Sequence, residues 1–171
     1  VILVTGNEYA DWIAAYLTRC YGPRGLVVYR EVSLGKTIIG KNRRVDMLAI
    51  HQETDRAIVF ECKYQASLGT ADEKIPYTLH DLAALHVPAF LVYAGAGFST
   101  GVLHMLEGSP IAAHCMPGPN LEPSPSTLEL DHVRLQPLLL GDHAVEAFVE
   151  VLEQRGGVVA AAVGRRRRAA R

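Results

Sequence analysis

Asp46, Glu61 and Lys63 are the residues whose types and spacing could do chemistry together. Residues 57 to 64 (AIVFECKY) form an apolar, β-branched run that reads as a strand, and its near-continuous apolar start predicts a buried, central position. Side chains alternate faces along a strand, so Glu61, Lys63 and Gln65 share one face and Cys62 points to the other. A carboxylate and an ammonium two positions apart at the end of such a run have little packing reason to be there. Asp46 lies on the preceding strand, Arg44 to Ile50 (RVDMLAI), across the polar turn QETD. A hairpin brings it within reach of Glu61. Two carboxylates on rigid strands, with the Cys62 backbone carbonyl as a further oxygen, make a hard site suited to Mg²⁺ or Mn²⁺. An ion there would polarise a phosphodiester and lower the pKa of a bound water. Lys63 would orient that water and offset charge building up in the transition state. The competing reading is a surface ion pair on an edge strand. The apolar run before Glu61, and an acid one hairpin earlier, favour the site.

Other elements must position these residues. Asn7 is expected to cap a first helix running to about Tyr21, with Tyr9, Ile13, Tyr16, Leu17 and Cys20 on one face, stopped by Gly22 and Pro23. Leu26 to Val32 reads as the first strand, and residues 33 to 43 as a turn and extended link. A second helix is expected within residues 70 to 86, with Ile75, Leu79, Leu82 and His86 inward. Thr70-x-x-Glu73 offers it a capping box. Pro76 argues for a start near Ile75, which would leave GTADEK as a loop beside the site. Ala89 to Tyr93 is a fourth strand, returning to the sheet by a crossover. The fold class is therefore α/β, a mixed sheet flanked by helices in the order αβββαβ. Beyond it, residues 101 to 116 include a short helix and residues 117 to 126 a proline-rich loop. Leu128 to Leu140 is expected to hold one or two short strands, and His143 to Gln154 a final amphipathic helix. The glycines of AGAGFSTG fit neither common nucleotide-binding pattern.

The stretch RRVDMLAI … AIVFECKYQ resembles the core motif of the PD-(D/E)xK nuclease superfamily, which includes many restriction endonucleases and the archaeal Holliday-junction resolvases. That family's common core has the element order just read, and the resemblance covers roughly residues 7 to 95. By position, Asp46 matches the motif's first acid, Glu61 its second and Lys63 its lysine. Val45 stands where some members have proline, and Gln65 resembles the glutamine that some branches place after the lysine. The resemblance implies a restriction-endonuclease-like, Mg²⁺-dependent (or Mn²⁺-dependent) enzyme cutting DNA, acting as a homodimer if it cuts both strands. A junction-resolvase-like nuclease and a non-catalytic nucleic-acid-binding module on the same fold are the alternatives. It also offers Glu8 on the first helix, or Glu31 on the first strand, as a further acid at the metal. An acid in a helix's first turn equally serves the helix dipole. Lys36, Lys41, Arg43 and Arg44, clustered before Asp46, are candidates for phosphate contacts, with Lys74 beside the site.

Composition bounds these readings. The 171 residues suit one domain with a real core; residues 1 to 164 are read as that domain and the basic end, 165 to 171 (RRRRAAR), as a disordered tail. The net charge of −1 is uneven: residues 1 to 164 carry 12 basic and 18 acidic side chains, so nucleic-acid binding requires local clustering of the basic ones. Cys20, Cys62 and Cys115 are odd in number and far apart, as expected of reduced thiols in a cytoplasmic protein. No apolar run is long enough to span a bilayer. The first residues do not read as a signal peptide, and the start at Val1 implies that a few residues precede it.

Overall fold

The Thr5 side chain accepts a hydrogen bond from the Glu8 amide, and the Glu8 carboxylate accepts one from the Thr5 amide. This capping box starts helix α1 (Gly6–Tyr21), so the cap is Thr5 and the expected cap, Asn7, lies in the first turn. Thr5-x-x-Glu8 supplies both halves of the reciprocal pair, whereas the third residue after Asn7 is Ala10. The computed structural model describes residues 5–135 apart from 68 and 70. The expected helix at 143 to 154, the basic tail and the Thr70 cap therefore lie outside the described residues.

β1 (Leu26–Lys36), β2 (Asn42–His51) and β3 (Arg56–Tyr64) form an antiparallel meander. The expected link at 33 to 43 is mostly strand, because the reversal is confined to a tight turn. The Thr37 amide donates to the Lys41 carbonyl at 2.8 Å and the Gly40 amide to the Thr37 carbonyl at 2.9 Å. Gly40 takes φ +78° there, which costs a residue without Cβ little. Helix α2 (Ala71–Ala83) crosses to β4 (Ala89–Ala94), which runs parallel to β3. Helix α3 (Thr100–Gly108) then leads to a short β5 (Ala112–His114), parallel to β4. Among the described residues this is one five-stranded mixed sheet, in the order β1-β2-β3-β4-β5.

Two expectations at α2 are corrected. The helix includes Pro76, so residues 71 to 74 are helical instead of a loop, and His86 is exposed beyond the helix end. Pro76 removes one backbone bond near the N-terminal end. Asp72, in the first turn, secures that end by accepting from the Gln65 side-chain amide at 3.0 Å and from the Ser99 backbone at 3.0 Å. A third correction falls at the C-terminal side: Glu129–Leu135 is a π-helical segment instead of strand. Its Asp131 accepts bonds from the Tyr16 and Tyr21 hydroxyls of α1, which ties the segment to that helix.

Two apolar layers hold the sheet. Tyr9, Ile13 and Leu17 of α1 pack with Met47, Ala49, Phe60, Cys62, Leu130 and Leu135 on one side. Ile75 and Leu82 of α2 and Leu106 of α3 pack with Val45, Val59 and Leu91 on the other. Full burial of each large side chain contributes roughly 1.5–3 kcal/mol. The β1–β2 hairpin changes sides along its length. Val28 and Met47 pack toward α1, whereas Val32, Leu34 and Val45 pack toward α2. The change falls at Glu31, which takes φ +54°, and at Asp46. Beyond it, Arg43 clamps the hairpin to α2. Its Nε donates to Asp81 Oδ2 at 2.9 Å and a terminal nitrogen to Asp81 Oδ1 at 2.8 Å, with both side chains about nine-tenths buried.

This pair yields a prediction. Asp81→Ala leaves a buried guanidinium unpaired and should cost about 3–5 kcal/mol by chemical denaturation at pH 7. Hydrogen bonding to Arg43 holds the Asp81 carboxyl below its usual value. A depressed folded pKa gives stability that is present above the unfolded value of about 4 and is lost as pH falls through the folded one. The gap between wild type and Asp81→Asn should therefore narrow below about pH 4. A gap that is constant from pH 7 to 3 would contradict it.

Candidate active site

The backbone ladder between β2 and β3 runs as far as Met47 opposite Phe60; Asp46 and Glu61 are the next residues along each strand. There a side chain replaces a backbone partner: the Cys62 amide donates to Asp46 Oδ2 at 2.7 Å. Arg30 of β1 fixes Asp46 from the other side by donating to its backbone carbonyl, while its Nε donates to Asp11 of α1 at 2.9 Å. Lys63 Nζ lies 2.7 Å from Glu61 Oε1, with both side chains about one-fifth exposed. Burial pushes the Glu61 carboxyl above its ordinary value; Lys63 pulls it back and Asp46 pushes it further up.

Of these residues, Asp46, Cys62 and Lys63 line a cleft of about 250 Å³, together with Gly6, Asn7, Tyr64 and Lys74; Glu61 is not among its lining residues. One wall is thus the N-terminus of α1, where orphan amides and the helix dipole favour negative charge. Lys74 of α2 also lines the cleft. Among the described residues, no group of three or more His, Cys, Asp and Glu side chains is gathered closely enough to hold a metal. The oxygen set at hand is Asp46, Glu61 and the Cys62 carbonyl. Asp46 Oδ1 has no protein hydrogen bond among the described residues. Two carboxylates, with water completing the shell, fit the demands of Mg²⁺.

A profile of the PD-(D/E)XK nuclease superfamily domain matches residues 5–137. The chain belongs to the PD-(D/E)XK nuclease superfamily. No curated protein matches the sequence. Two solved structures are distantly similar to this chain. One is a protein of unknown function, with a TM-score of 0.44 and 13% identity, covering 91% of this chain and 93% of that one. The other is a repair endonuclease from Pyrococcus abyssi, with a TM-score of 0.38 and 16% identity, covering 64% of this chain and 46% of that one.

The other residues expected to serve a nuclease of this superfamily are dispersed. The Glu8 carboxylate bonds the Thr5 amide, and its neighbours Gly6 and Asn7 line the cleft. Glu31 is exposed and paired with Arg44. Arg43 is turned into the fold against Asp81, Lys41 is exposed at the hairpin turn, and Lys36 donates to Asn42 at 2.6 Å. Only Lys74 of the basic candidates lines the cleft. Gln65 is buried, and its side-chain amide donates to Asp72 at 3.0 Å and to the Gly97 carbonyl at 2.6 Å. It joins the end of β3, the start of α2 and the β4–α3 loop.

Sequence reasoning did not place Arg30, Asn7 or Asp72 at the site, Asn7 being read only as a helix cap. Arg30 sits among inward-facing residues of β1, which was a signal available beforehand. The other two depend on long-range contacts. The same junction requires Gly95, which takes φ +107° and faces the Gln65 backbone so closely that a Cβ would lie 2.2 Å from its carbonyl oxygen. Gly95→Ala should therefore destabilise the protein by at least about 2 kcal/mol in urea denaturation. A change below about 0.5 kcal/mol would show that the junction yields freely.

Proposed function

We propose that the protein is a Mg²⁺- or Mn²⁺-dependent endonuclease that hydrolyses DNA phosphodiester bonds in the manner of restriction-type enzymes. The observation that carries this reading is that Asp46, Glu61 and Lys63 lie together at the ends of β2 and β3, where Asp46 and Lys63 line a cleft shared with a helix N-terminus and Lys74. Membership of the nuclease superfamily supports the reaction class. A divalent cation bound there would supply Lewis acidity toward the scissile phosphate and the attacking water.

The chain's own residues account for the remainder. Asp46 and Glu61 present the carboxylates that would hold the ion; Asp46 is pinned through its side chain by the Cys62 amide and through its backbone by Arg30. Lys63 orients the water and stabilises charge as the phosphorus gains a fifth oxygen. Glu61 would help hold the ion, and Lys63, which pairs with Glu61 here, would serve the phosphate. Lys74 and the first amides of α1 bind the flanking non-bridging oxygens. Gln65 acts as a positioning residue by fixing the wall that carries Lys74. Cutting both strands of a duplex needs two such sites, so the active form would be a homodimer. Among the described residues no helix is long and apolar enough to cross a membrane.

The test uses purified protein with plasmid, linear duplex and four-way-junction DNA, in Mg²⁺, Mn²⁺ or EDTA. Cleavage is expected with metal only, reduced at least ~100-fold in both Asp46→Ala and Lys63→Ala. Activity that persists in EDTA, or in both variants, would overturn the assignment. If no substrate is cut, calorimetric titration with Mn²⁺ decides: binding weakened in Asp46→Ala supports the site, and no binding at all removes it.

A further inference from the structure

A second cleft lies at the same end of the sheet. It has a volume of about 390 Å³ and is lined by Tyr93, Gly95, Leu103, Glu107, His114 and Glu129. In strand register Lys63 of β3 is opposite Tyr93 of β4, and Tyr93 is opposite His114 of β5. Paired residues point to the same side of a sheet, and neighbouring strands are about 4.8 Å apart. The Tyr93 and His114 positions are therefore roughly 5 and 10 Å from that of Lys63, comparable with one nucleotide step.

The Tyr93 hydroxyl is the unusual feature. The residue is only 6% exposed, lines the cleft, and has no hydrogen-bond partner for its hydroxyl among the described residues. Buried phenols nearly always find one. Phe98 packs edge-on to its ring at 6.0 Å and the His114 ring tilts against it at 5.4 Å, which together hold it in place. Burial first, then Glu107 and Glu129, push the phenol up to about 12, so it stays protonated and able to donate. Burial holds the His114 imidazole below its ordinary value, which leaves a neutral ring surface at pH 7.

The lining selects among ligands. The Glu107 carboxylate repels phosphate. A guanidinium would satisfy Glu107 and stack on the rings, yet it has no acceptor for the Tyr93 proton. A guanine base has what the site lacks: two adjacent N–H donors on its Watson–Crick edge for a carboxylate, and a carbonyl acceptor beside them for the phenol. Adenine and cytosine place an acceptor nitrogen where guanine has its ring N–H, which a carboxylate repels.

We infer that this cleft is a guanine-binding subsite, with the Tyr93 hydroxyl donating to the base carbonyl, Glu107 accepting from its N–H edge and His114 offering a stacking surface. Resting on the nuclease reading above, the base belongs to an unpaired nucleotide next to the phosphate that is cut. The base would also enter from a free nucleoside, and this separates the two readings.

The experiment measures full-length protein in EDTA against labelled oligothymidines carrying one central G, A, C or T, by fluorescence anisotropy, and against free guanosine by calorimetry. The G-containing strand should bind about tenfold tighter than the others. Tyr93→Phe and Glu107→Gln should each abolish most of that preference. Tyr93→Phe also removes an unsatisfied buried hydroxyl, so its melting temperature should be equal to or above wild type, which excludes misfolding as the cause. Equal affinity for all four strands, a preference that survives both variants, or free arginine competing as well as guanosine would overturn the inference. Guanosine binding without metal-dependent cleavage would overturn the nuclease reading and leave the subsite standing. Cleavage without guanosine binding would do the reverse.

Discussion

The hydrogen bond from the Cys62 amide to Asp46 Oδ2 joins β2 and β3 where their backbone ladder has ended, and the rest of the candidate site is arranged around it. Had the ladder continued, backbone groups would have satisfied each other and the Asp46 carboxylate would have stood clear of the strands. Instead one carboxylate oxygen closes the sheet, and the residue also lines the cleft. Bonds of this kind, with a charged acceptor, contribute about 1.5–3 kcal/mol. The bond also removes rotamer freedom from a residue whose position a metal would have to rely on. Arg30 completes the restraint through the Asp46 carbonyl.

The same place is where the β1–β2 hairpin changes sides. Glu31, at φ +54°, and Asp46 mark the point beyond which Val32, Leu34 and Val45 pack toward α2 instead of α1. The crossing costs strain at Glu31, and the buried Arg43–Asp81 pair on the far side holds it. An apolar contact could contribute as much stability. The bidentate pair adds a fixed direction, which keeps the hairpin end in register against α2. Gln65 does the corresponding work at the other wall by joining β3, α2 and the loop after β4.

Much of this was legible in the sequence. Alternation along RVDMLAI and AIVFECKY placed Asp46, Glu61 and Lys63 on neighbouring strands, and hydrophobic spacing gave α1, α2 and β4. What escaped was set by contacts distant in sequence. β5 is three residues of Ala and His with no pattern of its own, and it forms because β4 offers an unpaired parallel edge. The 129 to 135 segment falls where short strands were expected, but Asp131 meets two tyrosines of α1, and that bonding wins. Arg43 looks like any basic residue before a site until Asp81, 38 positions later, arrives beside it. Glu8 fitted both a cap and a metal ligand, and its bonds to Thr5 occupy it as a cap.

Charge explains why two clefts would be needed. Of the 17 basic side chains, set against 18 acidic ones, five lie in the final seven residues, so residues 1 to 164 are net acidic and offer nucleic acid no broad excess of positive charge. Attraction must be local. Lys63, Lys74 and the amides opening α1 gather at one cleft, where phosphate oxygens would be drawn. Glu107 lines the other, where phosphate would be repelled and hydrogen-bond donors held. A strand laid across the ends of β3, β4 and β5 would find its backbone favoured at the first and a base favoured at the second. That division would fix which way the chain of a nucleic-acid substrate faces. A positive surface of equal size would bind more tightly and would not orient it.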